Sequence, residues 1–313
     1  MMNRREFLKK TSALAGAGAL SAWSTLPAGC RTRAAEVNYP AYENNLRDRL
    51  WMWGHDPGQI DGPKGVYKLP QGDPMSMAEG CQSMGIPNVC VIRYGTPDEE
   101  YRKQFKEVKR VAWNLGCSNA TYHSLKKYVF GLRDTMPNLT GYYFDDFFLD
   151  FGSKPGFDMD SETAPAPAAL SLDEMKQLQA ETLAYQRRLD LTVVLYTHQL
   201  SPAIKPYMKY VDAVSLWTWS GSDIQKIDAN FRRYRSLVPD KPTHLGIYMW
   251  DFAEKKELGT AYMAKQLDYA FRLYQEGQIE GMIFLCTSIC NKGLAAVDYA
   301  RKWIAEHGNE GCG

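Results

Sequence analysis

Gly141-Tyr142-Tyr143-Phe144-Asp145-Asp146-Phe147-Phe148 is a run of strand-favouring aromatic residues broken by two adjacent carboxylates. Two aspartates among aromatics are costly to bury unless they are paired or hydrogen-bonded. The economical reading is a buried strand whose C-terminal end opens into a polar cleft. In a parallel α/β barrel, that end is where chemistry is built.

Working outward from this stretch, seven further apolar runs read as strands: 49–55, 87–93, 110–114, 190–198, 211–217, 244–250 and 281–286. Between them lie amphipathic stretches at 98–109 and 124–135, and one from the Ser171-x-x-Glu174 capping box to about Arg188. Three more follow, from Ser222 or Asp223 to Leu237, from Thr260 to Tyr274, and from Leu294 to Glu306. No GxGxxG or Walker sequence follows an early strand, as a doubly wound nucleotide-binding sheet would require. Eight strands alternating with helices predict an α/β chain, a single-domain (β/α)8 TIM barrel over residues 49–308.

The 313-residue length suits one such barrel, and 45% hydrophobic residues suffice for a large core. Residues 1–29 carry Arg4, Arg5, Lys9 and Lys10 against Glu6, a net +3, which leaves the body about −2 of the overall +1. A body without basic excess is expected to bind no nucleic acid. Asn3-Arg-Arg-Glu-Phe-Leu-Lys-Lys10, followed by an Ala- and Gly-rich run to Ala28, resembles the twin-arginine export motif. The resemblance implies a signal peptide over 1–29, use of the twin-arginine export machinery and a periplasmic or lipid-anchored destination. Leu26-Pro-Ala-Gly-Cys30 is similar to a lipobox, which would anchor the chain to the membrane through a lipidated Cys30; cleavage near Ala34-Ala35 is the alternative. Residues 30–48 then read as a polar linker.

No CxxC pair occurs, and Cys90 and Cys286 sit in apolar runs expected to be core. No cofactor is expected. The connection 150–170 scatters prolines and glycines among alanines and acids, is long for a barrel loop, and follows the paired aspartates, so it is expected to form a lid.

A barrel gathers strand ends on one rim. The catalytic candidates there are Asp145, Asp146 and Asp251. The substrate-binding candidates are His55, Asp56, Arg93, Tyr143, Tyr196, His198, Trp217, Trp219, Tyr248 and Trp250, with Tyr94 and Asn114 at other strand ends. Aromatic rings stack on the apolar faces of sugars while carboxylates, Arg and His bond hydroxyls, so the expected ligand is carbohydrate. Strand alternation turns Tyr143 and Asp145 inward and Phe144 toward the helices.

Gly141-Tyr-Tyr-Phe-Asp145-Asp146 also resembles the fourth strand of barrel glycoside hydrolases, in particular the aromatic-Asp-Asp segment of the retaining α-galactosidase group. The resemblance implies that Asp145 is the nucleophile or charge stabiliser. The chain departs from the pattern in two ways. No glutamate stands at the end of strand four or strand seven (Glu254 lies further on), and Tyr143 replaces the lysine two residues before the aspartate. Glycosidic cleavage needs a second carboxyl, about 5 Å away for retention or roughly 6.5–9.5 Å for inversion. Asp251, flanked by Trp250 and Phe252, is the first candidate acid, with Asp146 and Asp223 as alternatives. Two other readings stand beside this one. His55, Asp56, Asp145, Asp146 and His198 could supply a mixed metal shell for a hydrolase or isomerase acting on sugars. The missing glutamates equally suit an exported, non-catalytic sugar-binding barrel.

Overall fold

The computed structural model describes residues 41–312 apart from 61, 63, 96, 97, 152–156 and 186. The export signal over 1–29 and Cys30 lie outside the described residues. Eight parallel strands close into a barrel: β1 (Leu50–His55), β2 (Asn88–Ile92), β3 (Arg110–Asn114), β4 (Leu139–Phe144), β5 (Asp190–Tyr196), β6 (Ala213–Trp217), β7 (Thr243–Tyr248) and β10 (Gly281–Leu285). Each pairs with its chain neighbour, and β10 closes on β1 with Leu50 opposite Met282. A two-stranded antiparallel pair, β8 (Trp250–Asp251) and β9 (Lys256–Glu257), stands on the connection after β7. The barrel strands are the eight runs read from the sequence. They read clearly because helices cover one face and the lumen the other, so nearly every strand residue is buried.

One helix, Met77–Met84, falls where no helix is expected from the apolar pattern. Its signal is Ser76, whose side chain accepts from the Glu79 N–H while Glu79 bonds back to the Ser76 N–H. The helix expected from 124 starts earlier, at Asn119, because Ser118 and Thr121 form the cap.

Residues 41–48 are not a linker. Leu46 is fully buried, Asp48 is 3% exposed, and together they seal the N-terminal end of the barrel. Arg110 reaches down from β3 and clasps Asp48 bidentately, Nη1 to Oδ1 at 2.8 Å and Nη2 to Oδ2 at 3.1 Å. Asn88 donates to the Asp48 and Leu50 carbonyls, and the Arg110 guanidinium lies over the Tyr42 ring, 4.2 Å from its centroid. Local polarity suggested a spacer, but the polar groups are matched across the barrel floor.

Aromatic rings fill the upper lumen. Trp53 packs edge-on against Tyr143 and Trp217, and Trp217 against Tyr248, at centroid separations of 5.7, 5.3 and 5.5 Å. Gly246 on β7 makes room for this cluster, since a Cβ there would stand 2.1 Å from the Trp217 ring. On the outer face of β4, Tyr142 stacks on Phe130 and Phe144 meets Tyr122, both from the Asn119–Thr135 helix. A register shift between β3 and β4, after Val111, sets Asn114 opposite Tyr143. That phase turns Tyr143 inward and points the next inward position, Asp145, at the barrel mouth.

Candidate active site

Adjacent strand residues face opposite sides of a sheet, yet Asp145 and Asp146 both serve the mouth. The reason lies in the backbone: Asp146 has φ of 44°, in the left-handed region that aspartate tolerates, and this folds the chain back at the end of β4. Each carboxylate is then held by one phenol. Tyr94 OH donates to Asp145 Oδ2 at 2.9 Å, and Tyr196 OH donates to Asp146 Oδ1 at 2.7 Å. Behind them, Asn114 Oδ1 accepts the Asp145 N–H at 3.3 Å.

The two carboxyls differ in setting. Asp146 is exposed, whereas Asp145 is partly covered. Burial, and secondarily the Asp146 charge beside it, push the Asp145 carboxyl up to about 7; the Tyr94 hydroxyl and the Asp146 N–H oppose that rise only in part. Tyr67, Tyr196 and Tyr248 are also shifted upward, first by burial and then by neighbours that include both aspartates. The pair is thus ringed by neutral phenols.

The expected binding residues separate into those at the mouth and those below it. Tyr196 is half-buried, His198 is exposed and stacks on Tyr196 at 5.4 Å, and Trp219 meets Tyr196 edge-on at 5.4 Å. These three line the mouth. Tyr143, Trp217, Tyr248 and Trp250 are only 3 to 4% exposed, so of the three tryptophans among the binding candidates Trp219 alone stands open at the mouth. Trp217 occupies the lumen with its Nε1 on Ser215 Oγ at 2.9 Å, and Trp250 is pinned through Nε1 to the Tyr67 carbonyl at 3.2 Å. Arg93 bonds Asp56 at 2.7 Å and stacks over Tyr101, whose hydroxyl takes the other Asp56 oxygen at 2.6 Å. Arg93 and Asp56 therefore satisfy each other beside the mouth, and Arg93 does not orient Asp145. His55 is covered, and burial lowers it to about 4, so its imidazole is neutral at physiological pH. Burial likewise lowers His244 to about 4, because it projects from β7 toward Trp51.

Asp251 stands apart from the pair in its bonding. It is 4% exposed, and its two oxygens accept the backbone N–H groups of Gly221 at 3.0 Å and Glu254 at 2.9 Å. That arrangement organises the loops after β6 and β7. Asp223 is bonded to Ser220 and Lys226. The five residues of the metal reading do not assemble: among the described residues, no group of three or more His, Cys, Asp or Glu side chains could hold an ion.

Two long connections frame the mouth. The described part of the one expected to act as a lid is fastened at both ends. Phe148 bridges Ala168, Leu149 N–H bonds the Pro167 carbonyl at 3.0 Å, and Ala166 N–H bonds the Ala203 carbonyl at 2.9 Å. The other connection, between β1 and the Met77–Met84 helix, delivers Tyr67, which packs on Phe252 at 5.1 Å. Tyr67 carries no sequence signal, since it reaches the pair through a loop.

No protein-family model matches the chain, and no curated protein matches its sequence. Solved structures do match. Active domain 2 of the thermostable chitinase of Pyrococcus furiosus is 14% identical, with a TM-score of 0.51 over 85% of this chain and 95% of that one. A Bacteroides thetaiotaomicron protein assigned as an alpha-L-fucosidase is 12% identical, with a TM-score of 0.52 over 88% and 98%. A xylanase-A-amylase inhibitor protein is 12% identical, with a TM-score of 0.50 over 83% and 98%. The likeness is one of fold. Enzymes and an inhibitor share it, so function must be argued from the mouth of this barrel.

Proposed function

We propose that the protein is a glycoside hydrolase-like enzyme in which Asp145 is the proton donor and Asp146 the carboxylate partner. The observation that carries this reading is the adjacent pair at the C-terminal mouth, with Asp145 raised to about 7 and each carboxyl held by a phenol. A carboxyl that keeps its proton near neutrality serves as acid, so the role falls to Asp145 itself rather than to Asp251, and of the nucleophile or charge-stabiliser role implied by the resemblance, charge stabilisation passes to Asp146. Asp145 gives its proton to the glycosidic oxygen as the bond to the anomeric carbon breaks, and the Asp146 carboxylate balances the positive charge developing on the sugar. Water then supplies hydroxide to the anomeric carbon and its remaining proton restores Asp145. Trp219, Tyr196 and Tyr67 offer ring faces to the sugar.

The test is a panel of glycans and aryl glycosides given to the wild type and to Asp145→Asn. Turnover of at least one substrate by the wild type, reduced about 10²–10⁴-fold in the variant, is the expected result for loss of a general acid. A second reading, sugar binding without turnover, is favoured by the bonding of Asp251, which leaves strand seven without a free carboxyl at the mouth. Saturable glycan binding with no turnover, unchanged by Asp145→Asn, would establish that reading instead.

A further inference from the structure

Asn114 ends β3 and is fully buried beneath the pair. Its Oδ1 accepts two backbone N–H groups, from Gly116 at 3.0 Å and from Asp145 at 3.3 Å. Both partners are donors, so the amide orientation is fixed: a flip would set its NH2 against two N–H groups. Nδ2 is left with no hydrogen-bond partner among the described residues. Buried donors without partners are rare in folded proteins and call for an explanation. The two bonds to its oxygen account for an amide at this position, but nothing among the described residues accounts for its stranded donor.

We propose that Asn114 is the positioning residue of Asp145: its oxygen fixes the backbone from which Asp145 projects, and its spare N–H is kept for the carboxylate that Asp145 becomes once its proton has gone to the leaving oxygen. The inference rests on the assignment of Asp145 as proton donor. In its protonated form Asp145 already receives the Tyr94 hydroxyl at Oδ2 and has little use for a second donor. After transfer, the proton sits on the departing alcohol and the new carboxylate carries a full charge in a pocket where it meets a second anion, Asp146. A donor that bonds only this ionised form favours it selectively.

The measurement is the 13Cγ titration of Asp145 in the folded protein, which needs no substrate and so remains informative even if hydrolysis itself is absent. In Asn114→Ala the midpoint is expected to rise, lowering the ionised fraction at neutral pH by about threefold or more. Asn114→Ser, which keeps a smaller donor and acceptor, is expected to show a smaller rise of the same sign and serves alone if the alanine variant does not fold. A lowered melting temperature with an unshifted Asp145 titration, in whichever variant folds, would overturn the proposal by making Asn114 a structural bridge only.

Discussion

At the scale of single residues, the site depends on two neighbours that the chain forces to share one mouth. The left-handed backbone at Asp146 sets both carboxyls on the same side, and partial burial with the neighbouring charge raises Asp145 to about 7. This has a consequence for stability. The folded value of Asp145 lies above the 3.8 of an ordinary aspartate, so the stability that its protonated form confers is complete below that value and is lost as the pH rises to about 7. Asp145→Asn removes the ionising group. The variant should be more stable than the wild type at pH 8, by roughly 1–3 kcal/mol once solvent access is allowed for. The gain should shrink to nothing near pH 4. Urea unfolding at the two pH values measures it, and a variant equally destabilised at both would contradict it.

At the scale of elements, the eight strands were legible because each is a nearly continuous apolar run, and the pair at the end of β4 because carboxylates interrupt such a run. Depth along the barrel axis was not legible. Alternation assigns Tyr143, Trp217 and Tyr248 to the inward face but cannot say that they fill the lumen below the mouth. Nor does any local pattern reveal that Asp251 spends its oxygens on the amides of Gly221 and Glu254. Tyr67 and the floor built from residues 41–48 depend on long-range contacts, which single-sequence periodicity does not encode. The fit of β6 to β7 has its own test. A Cβ at position 246 would overlap the Trp217 ring, and Gly246→Ala should destabilise the barrel by about 1–3 kcal/mol through overpacking. It should also change the near-UV signal of the Trp53-Trp217-Tyr248 cluster. Unaltered stability and spectrum would mean that the ring stands elsewhere.

At the scale of the whole molecule, the barrel has a charged, closed floor and a carboxylate-bearing, aromatic mouth. The division suits a scaffold stabilised at one end and functional at the other. Burial alone would raise Asp48, but hydrogen bonds from Arg110 and Lys109 outweigh it and hold the carboxyl below its ordinary value. A depressed folded value confers stability that is present above the unfolded value and lost as the pH falls through the folded one. Asp48→Ala removes the carboxylate that faces the fully buried Arg110 and should cost about 3–5 kcal/mol at pH 7, as expected when one partner of a buried pair is removed. The deficit should narrow in acid, where the wild type also loses the pair. Thermal melts from pH 7 to pH 3 would show this, and a deficit independent of pH would refute the electrostatic account of the floor.

The central claim is that partial burial, and secondarily the Asp146 charge, raise Asp145 to about 7, which equips it to act as an acid. The most direct measurement is the 13Cγ titration of Asp145 in the wild type and in Asp146→Asn. The account predicts a midpoint near 7 in the wild type and a partial fall when the neighbouring charge is removed, burial remaining. A wild-type midpoint already in the ordinary range, unmoved by Asp146→Asn, would contradict it.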